Sequence, residues 1–145
     1  MSILSENKVK LNASVSDRYE AIRLAGQLLV EAGHVEPAYV DSMIERENSL
    51  STYMGGGLAI PHGTSESKGT IKSTGLSIVQ LPAGVDFGDG EKAHLVIGIA
   101  AVGDDHLDIL TNVAMICSDD ENMARILAAK TPAEMIEIFE SGVEE

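Results

Sequence analysis

The sequence predicts an α/β fold: a single-domain sandwich in which a small mixed sheet of about five strands is flanked by helices on both faces. Three observations carry this reading. Amphipathic segments of helical period alternate with short apolar runs along the chain. One run, His94 to Val102, is apolar almost throughout, as suits a central strand covered on both faces. No repeat, low-complexity tract or linker divides the 145 residues, a length that suits one domain.

The elements follow in order. Asp17 to Ala32 reads as a helix, with Ala21, Ile22, Ala25, Leu28 and Leu29 on one face. Ser16 or Asp17 can cap its start, and Gly33 stands where it would stop. Pro37, favoured in a first helical turn, opens a second helix that runs to about Asn48. Gly55-Gly56-Gly57 is too costly in entropy for a helix or strand interior and marks a turn. Leu58-Ala59-Ile60 is then a short buried strand ended by Pro61, followed by a polar loop from Gly63 to Gly69. Thr74 to Leu81 reads as a strand, and Pro82 to Gly90, with Gly84 and Gly88 inside it, as a turn-rich connection. After the His94 to Val102 strand, a helix from Asp105 turns Ile109, Leu110, Val113, Ala114, Ile116 and Cys117 inward. Ser118-Asp119-Asp120-Glu121 and Thr131-Pro132-Ala133-Glu134 match the capping-box pattern and open two more helices.

Composition narrows the function. With two Phe, three Tyr and no Trp, the core must be built from Leu, Ile, Val, Ala and Met. A net charge of −13 repels phosphate backbones and anionic lipid, which argues against nucleic-acid and membrane-surface binding; it would steer a basic protein partner toward the chain, although solubility alone accounts for it more simply. Cys117 is the one cysteine, so neither an internal disulfide nor a Cys-rich zinc site can form. The first residues lack a basic region followed by an apolar run, and the apolar stretch from Leu95 to Val102 is far short of the about 20 residues of a membrane span. A cytoplasmic protein is expected.

Four histidines are the candidates for chemistry: His34, His62, His94 and His106. A histidine can carry a phosphoryl group, act as acid or base, or bind a metal. His62 follows a short apolar strand and a proline, with Gly63, Thr64 and Ser65 beyond it. A ring there is held yet accessible, at a strand-end loop where sites concentrate, although a loop histidine of no consequence would fit the pattern equally. His106 opens a helix just after a buried strand, beside the usual ligand crevice of an α/β sheet, although a solvated first turn would place a histidine there as well. His94, at the other end of that strand, reads as structural or surface, and His34 as a residue that could satisfy terminal carbonyls after Gly33. Arg46, between Glu45 and Glu47, is either a solvated helix charge or a guanidinium aimed at phosphate. No Gly-Lys-Ser/Thr follows the glycine run and no Gly-x-Ser-x-Gly occurs, so neither a nucleotide loop nor a hydrolase elbow is indicated. Zinc held by His62 and His106 lacks a supporting ligand spacing. Cys117 reads as a core residue.

Leu58-Ala59-Ile60-Pro61-His62-Gly63-Thr64 resembles the active-site signature of the IIA proteins of the bacterial phosphoenolpyruvate-dependent sugar phosphotransferase system, mannitol and fructose family. Gly33 to Val40, Met43 to Glu47, Gly84 to Gly88, Leu95 to Ala101 and Asp105-His106-Leu107 are similar to the mannitol-specific branch, so the resemblance runs from about Leu11 to Phe139. One departure stands out: Gly56 occupies a position where many members of that branch have glutamate.

The resemblance implies a specific relay. The phosphocarrier protein HPr, which presents basic residues around its own histidine, would donate a phosphoryl group to His62 at Nε2. His62 would pass it to a cysteine of a IIB domain, which delivers it to sugar at the membrane-embedded IIC domain, mannitol being the expected sugar. Arg46 would stabilise the phosphate and His106 would hydrogen-bond it. No metal, nucleotide or other cofactor is implied. Neither a IIB phosphate loop with its cysteine nor a IIC span occurs in the chain, so a stand-alone IIA or one excised from a longer protein is expected. The alternative within the same superfamily is a regulatory protein in which phosphorylation of His62 controls binding to a target.

Overall fold

The structure, a computed structural model, describes residues 3–88, 90–102 and 105–143, without the side chains of residues 65, 68, 105–107 and 141–143. Its strands are β1 (Val9–Lys10), β2 (Tyr53–Gly55), β3 (Leu58–Ala59), β4 (Gly75–Asp86) and β5 (Lys92–Ala100), and its helices α1 (Arg18–Glu31), α2 (Ala38–Ser49), α3 (Asp105–Ser118), α4 (Asp120–Ala128) and α5 (Pro132–Val143). The sheet order is β1-β4-β5-β3-β2. β5 pairs antiparallel with β4 and parallel with β3, so the sheet is mixed.

The period-2 alternation of a strand explains why β5 is apolar on both sides. Leu95, Ile97 and Ile99 point into one core with Ile109, Val113 and Ile116 of α3, Ile126 of α4 and Ile138 of α5. Val96 and Ala100 point into the other, with Ile22, Ala25 and Leu29 of α1 and Met43 of α2. Full burial of a Leu or Ile side chain contributes roughly 1.5–3 kcal/mol, so this double-sided strand fixes the position of everything at its ends.

α1 begins as the sequence predicts: the Asp17 carboxylate accepts from the Glu20 N–H at 2.8 Å. Three local expectations need correction. β4 runs straight through Pro82 and Gly84, where a turn-rich connection is expected. The register against β5 shifts between Gln80 and Val85, and this irregularity takes in Pro82, which has no N–H for the ladder. Gly84, at φ 76°, lies so close to the His94 ring that a Cβ would come within 2.8 Å of it. The polar loop after Gly63 is partly a 3₁₀ helix over Ser65–Thr70. The cap of α4 is Asp119, whose side chain accepts from the Asn122 N–H, rather than Ser118.

Candidate active site

β3 and β5 run parallel, and the pairing resumes after Pro61 as a bridge between His62 and Ile99. The Ile99 N–H donates to the Pro61 carbonyl at 3.0 Å, so the backbone before His62 is tied to the central strand. The His62 ring is half-buried. Its Nδ1 lies 2.8 Å from the Ile60 carbonyl oxygen. A carbonyl can only accept, so Nδ1 carries the proton and the neutral ring holds its lone pair on Nε2. That places Nε2 at the far edge of the ring from the strand that fixes it.

α2 supplies the wall of the site. The Tyr39 hydroxyl donates to the Ile99 carbonyl at 2.8 Å and accepts from the Gly63 N–H at 2.8 Å, clamping the residue after His62 to β5. One turn on, Ser42 Oγ accepts from the Thr64 N–H at 2.9 Å and shares a proton with Thr64 Oγ1 at 3.0 Å. The loop therefore lies flat against α2. A Cβ on Gly63 would come within 2.5 Å of the Tyr39 ring and 3.0 Å of Ser42 Oγ, so this glycine serves the approach of a helix. Arg46 follows Tyr39 and Ser42 at i+7 and i+4 on the same helical face, in the last turn. Its guanidinium donates to the Leu50 carbonyl at the end of its own helix. Sequence reasoning singled out Arg46 and missed Tyr39 and Ser42; the signal available was their helical spacing from it.

His106 belongs to the first turn of α3, which starts beyond the C-terminal end of β5. Because β5 and β3 are parallel, that turn and His62 stand at the same end of the sheet. The His106 side chain lies outside the described residues. The other two histidines are elsewhere. His94 is half-buried with Nδ1 donating to the Leu81 carbonyl at 3.3 Å, a structural position. His34 is fully buried, its backbone N–H donating to the Leu29 carbonyl and its ring placed between Ser73 Oγ, 2.8 Å from Nδ1, and Lys8 Nζ, 2.5 Å from Nε2. Burial pushes the Cys117 thiol up to about 12, which keeps it protonated and unreactive, as a core cysteine should be. Among the described residues no group of three or more His, Cys, Asp or Glu could hold a metal ion. Nor is any helix among them long and apolar enough to cross a membrane.

A family model for the phosphoenolpyruvate-dependent sugar phosphotransferase system, EIIA 2, matches residues 2–142. The chain belongs to this family. Among its relatives is the mannitol-specific phosphotransferase enzyme IIA component of Bacillus subtilis (strain 168), 48% identical over 139 residues that span 96% of this chain and 97% of that protein. The fold of this EIIA chain superposes on IIA mannitol from Escherichia coli in its crystal structure with a TM-score of 0.87 at 37% identity, covering 94% of this chain and 98% of that one. It also superposes on an NMR structure of the complex of Escherichia coli enzyme IIAMtl with phosphorylated enzyme IIBMtl, with a TM-score of 0.90 at 36% identity, covering 95% and 97%.

Proposed function

We propose that the chain is a cytoplasmic phosphoryl carrier for mannitol uptake, loaded on His62 by phospho-HPr and unloaded onto a cysteine of its cognate IIB domain. The observation that carries this is the hydrogen bond from His62 Nδ1 to the Ile60 carbonyl, which leaves the lone pair on Nε2. In loading, that lone pair attacks phosphorus as the phosphorus–nitrogen bond to the donor histidine breaks. In unloading, the IIB thiolate attacks the same phosphorus and the electron pair returns to Nε2. Little covalent work falls to the protein; it aligns donor, phosphorus and acceptor and balances charge. Arg46, on the α2 face that carries the loop, would leave the Leu50 carbonyl for the equatorial oxygens. His106, at the same end of the sheet, would donate to another. Each charge-assisted bond is worth about 1.5–3 kcal/mol, enough to steady the group without trapping it. The acidic surface would steer a basic donor into a fast, weak encounter. The mannitol assignment draws on the mannitol specificity of the relatives.

Incubation with phosphoenolpyruvate, enzyme I and HPr is expected to add one acid-labile phosphoryl group, and His62→Gln to abolish it. A His62→Gln protein that still takes up the group would refute the assignment. Deletion of the gene should stop growth on mannitol and spare growth on fructose. Normal growth on both would point instead to a regulatory role.

A further inference from the structure

We infer that Glu47 is a positioning residue for His62, acting through a chain of hydrogen bonds that runs from its carboxylate by way of Thr52 and Ile60. The inference rests on the carrier reading for its purpose, but its geometry stands alone. Glu47 is only 3% exposed, and a buried carboxylate is costly unless its oxygens are used. Oε1 accepts twice from one residue: from the Thr52 N–H at 2.9 Å and from the Thr52 hydroxyl at 2.6 Å. Among the described residues no donor hydrogen-bonds to Oε2, which faces Arg18 Nη1 at 3.9 Å; that guanidinium is itself anchored on the Phe87 carbonyl at 2.7 Å. The carboxylate is thus committed to gripping Thr52, where the chain leaves α2 and turns into β2.

What Thr52 does next gives the grip its consequence. Its carbonyl accepts from the Ile60 N–H at 3.0 Å, and the Ile60 carbonyl accepts from His62 Nδ1 at 2.8 Å. Pro61 follows Ile60 and offers no N–H of its own. The Ile60 carbonyl that selects the His62 tautomer therefore takes its aim from Thr52, and Thr52 takes its aim from Glu47. Replacing a buried ionic group by an apolar one often leaves stability unchanged or improved, so a carboxylate kept here is better explained by what it fixes than by what it stabilises. A displacement of 1 Å at a reacting atom can cost on the order of 100-fold in rate, which makes such fixing worthwhile.

The test reads the His62 ring in the unphosphorylated full chain by 15N NMR, beside the rate of phosphoryl uptake from phospho-HPr. The wild type should show the Nδ1–H tautomer. Glu47→Ala should shift His62 toward a mixture with Nε2–H and slow uptake about tenfold, part of the loss that loosened alignment can produce. Glu47→Gln, which keeps an acceptor at Oε1, should restore both. Thr52→Val, which removes only the hydroxyl half of the grip, should give a smaller shift in the same direction. Ile126→Val, a core truncation that removes none of these hydrogen bonds, should change neither. If Glu47→Ala fails to fold, Thr52→Val decides alone. A His62 tautomer unchanged in the folded variants would overturn the inference. A tautomer that responds in a protein that takes up no phosphoryl group would keep the positioning and remove the carrier reading.

Discussion

His34 and His62 are the same residue placed in opposite surroundings. Each ring has Nδ1 beside an oxygen, Ser73 Oγ for His34 and the Ile60 carbonyl for His62. With Lys8 as an ammonium donating to His34 Nε2, both rings share the Nδ1–H tautomer. The surroundings separate them. His34 has no exposed surface, its Nε2 meets Lys8, and Gly75 packs so tightly on the ring that a Cβ there would lie within 2.5 Å. His62 is half-buried at the end of a strand, with Nδ1 held by backbone and the two residues after it held by a helix face. A tautomer alone would not make an imidazole a carrier; the proposed carrier also has its ring at an accessible strand end.

The same substitution at the two sites should therefore break different things. His34→Ala leaves a cavity and strips Lys8 of a buried partner, and is expected to cost about 2–4 kcal/mol in urea unfolding while the folded fraction still accepts a phosphoryl group. His62→Ala is expected to abolish phosphorylation with a stability change within about 1 kcal/mol. Equal stability losses at both would erase the contrast. Next in size is Gly63→Ala, which forces Tyr39 and Ser42 away from the loop; overpacking of this kind should cost about 1–3 kcal/mol and slow uptake. Tyr39→Phe removes both hydrogen bonds that tie Gly63 to β5, for an expected loss of about 1–2 kcal/mol, with stopped-flow uptake slowed more than stability alone would explain.

A pH dependence is expected at the His34 end. Burial lowers the Lys8 pKa from 10.5 to about 8. Between those values the unfolded chain binds more protons than the folded one, so the Lys8 contribution to stability rises with pH across that window and is flat below it. Urea midpoints on either side of the window should show the rise, and Lys8→Met should remove it. A fall in stability across the window that depends on Lys8 would contradict the account.

Most of the fold is legible in the sequence because its elements carry redundant signals. α1 has both a helical apolar stripe and a capping aspartate, and β5 is apolar throughout because both faces are covered. Legibility fails where a tertiary contact overrides a local signal. Pro82 and Gly84 read as a turn because each breaks a regular strand, yet a register shift and the His94 ring give both a place within β4. The candidate site is legible at His62, where strand end, proline and glycine coincide in seven residues. Tyr39 and Ser42 are hidden because a tyrosine and a serine on a helix announce nothing until the loop they hold is brought against them. Glu47 shows nothing in the sequence beyond its place beside Arg46, and only long-range packing reveals it as buried.

The central claim is that the strand edge holds one nitrogen of His62 so that the other can bear phosphorus. Selective 15N-histidine labelling, followed by loading with phospho-HPr and observation of the phosphorus–nitrogen coupling, tests it most directly. The account expects a single phosphohistidine, at His62 Nε2, with Nδ1 still protonated. Phosphorus on Nδ1, or on any other histidine, would contradict it.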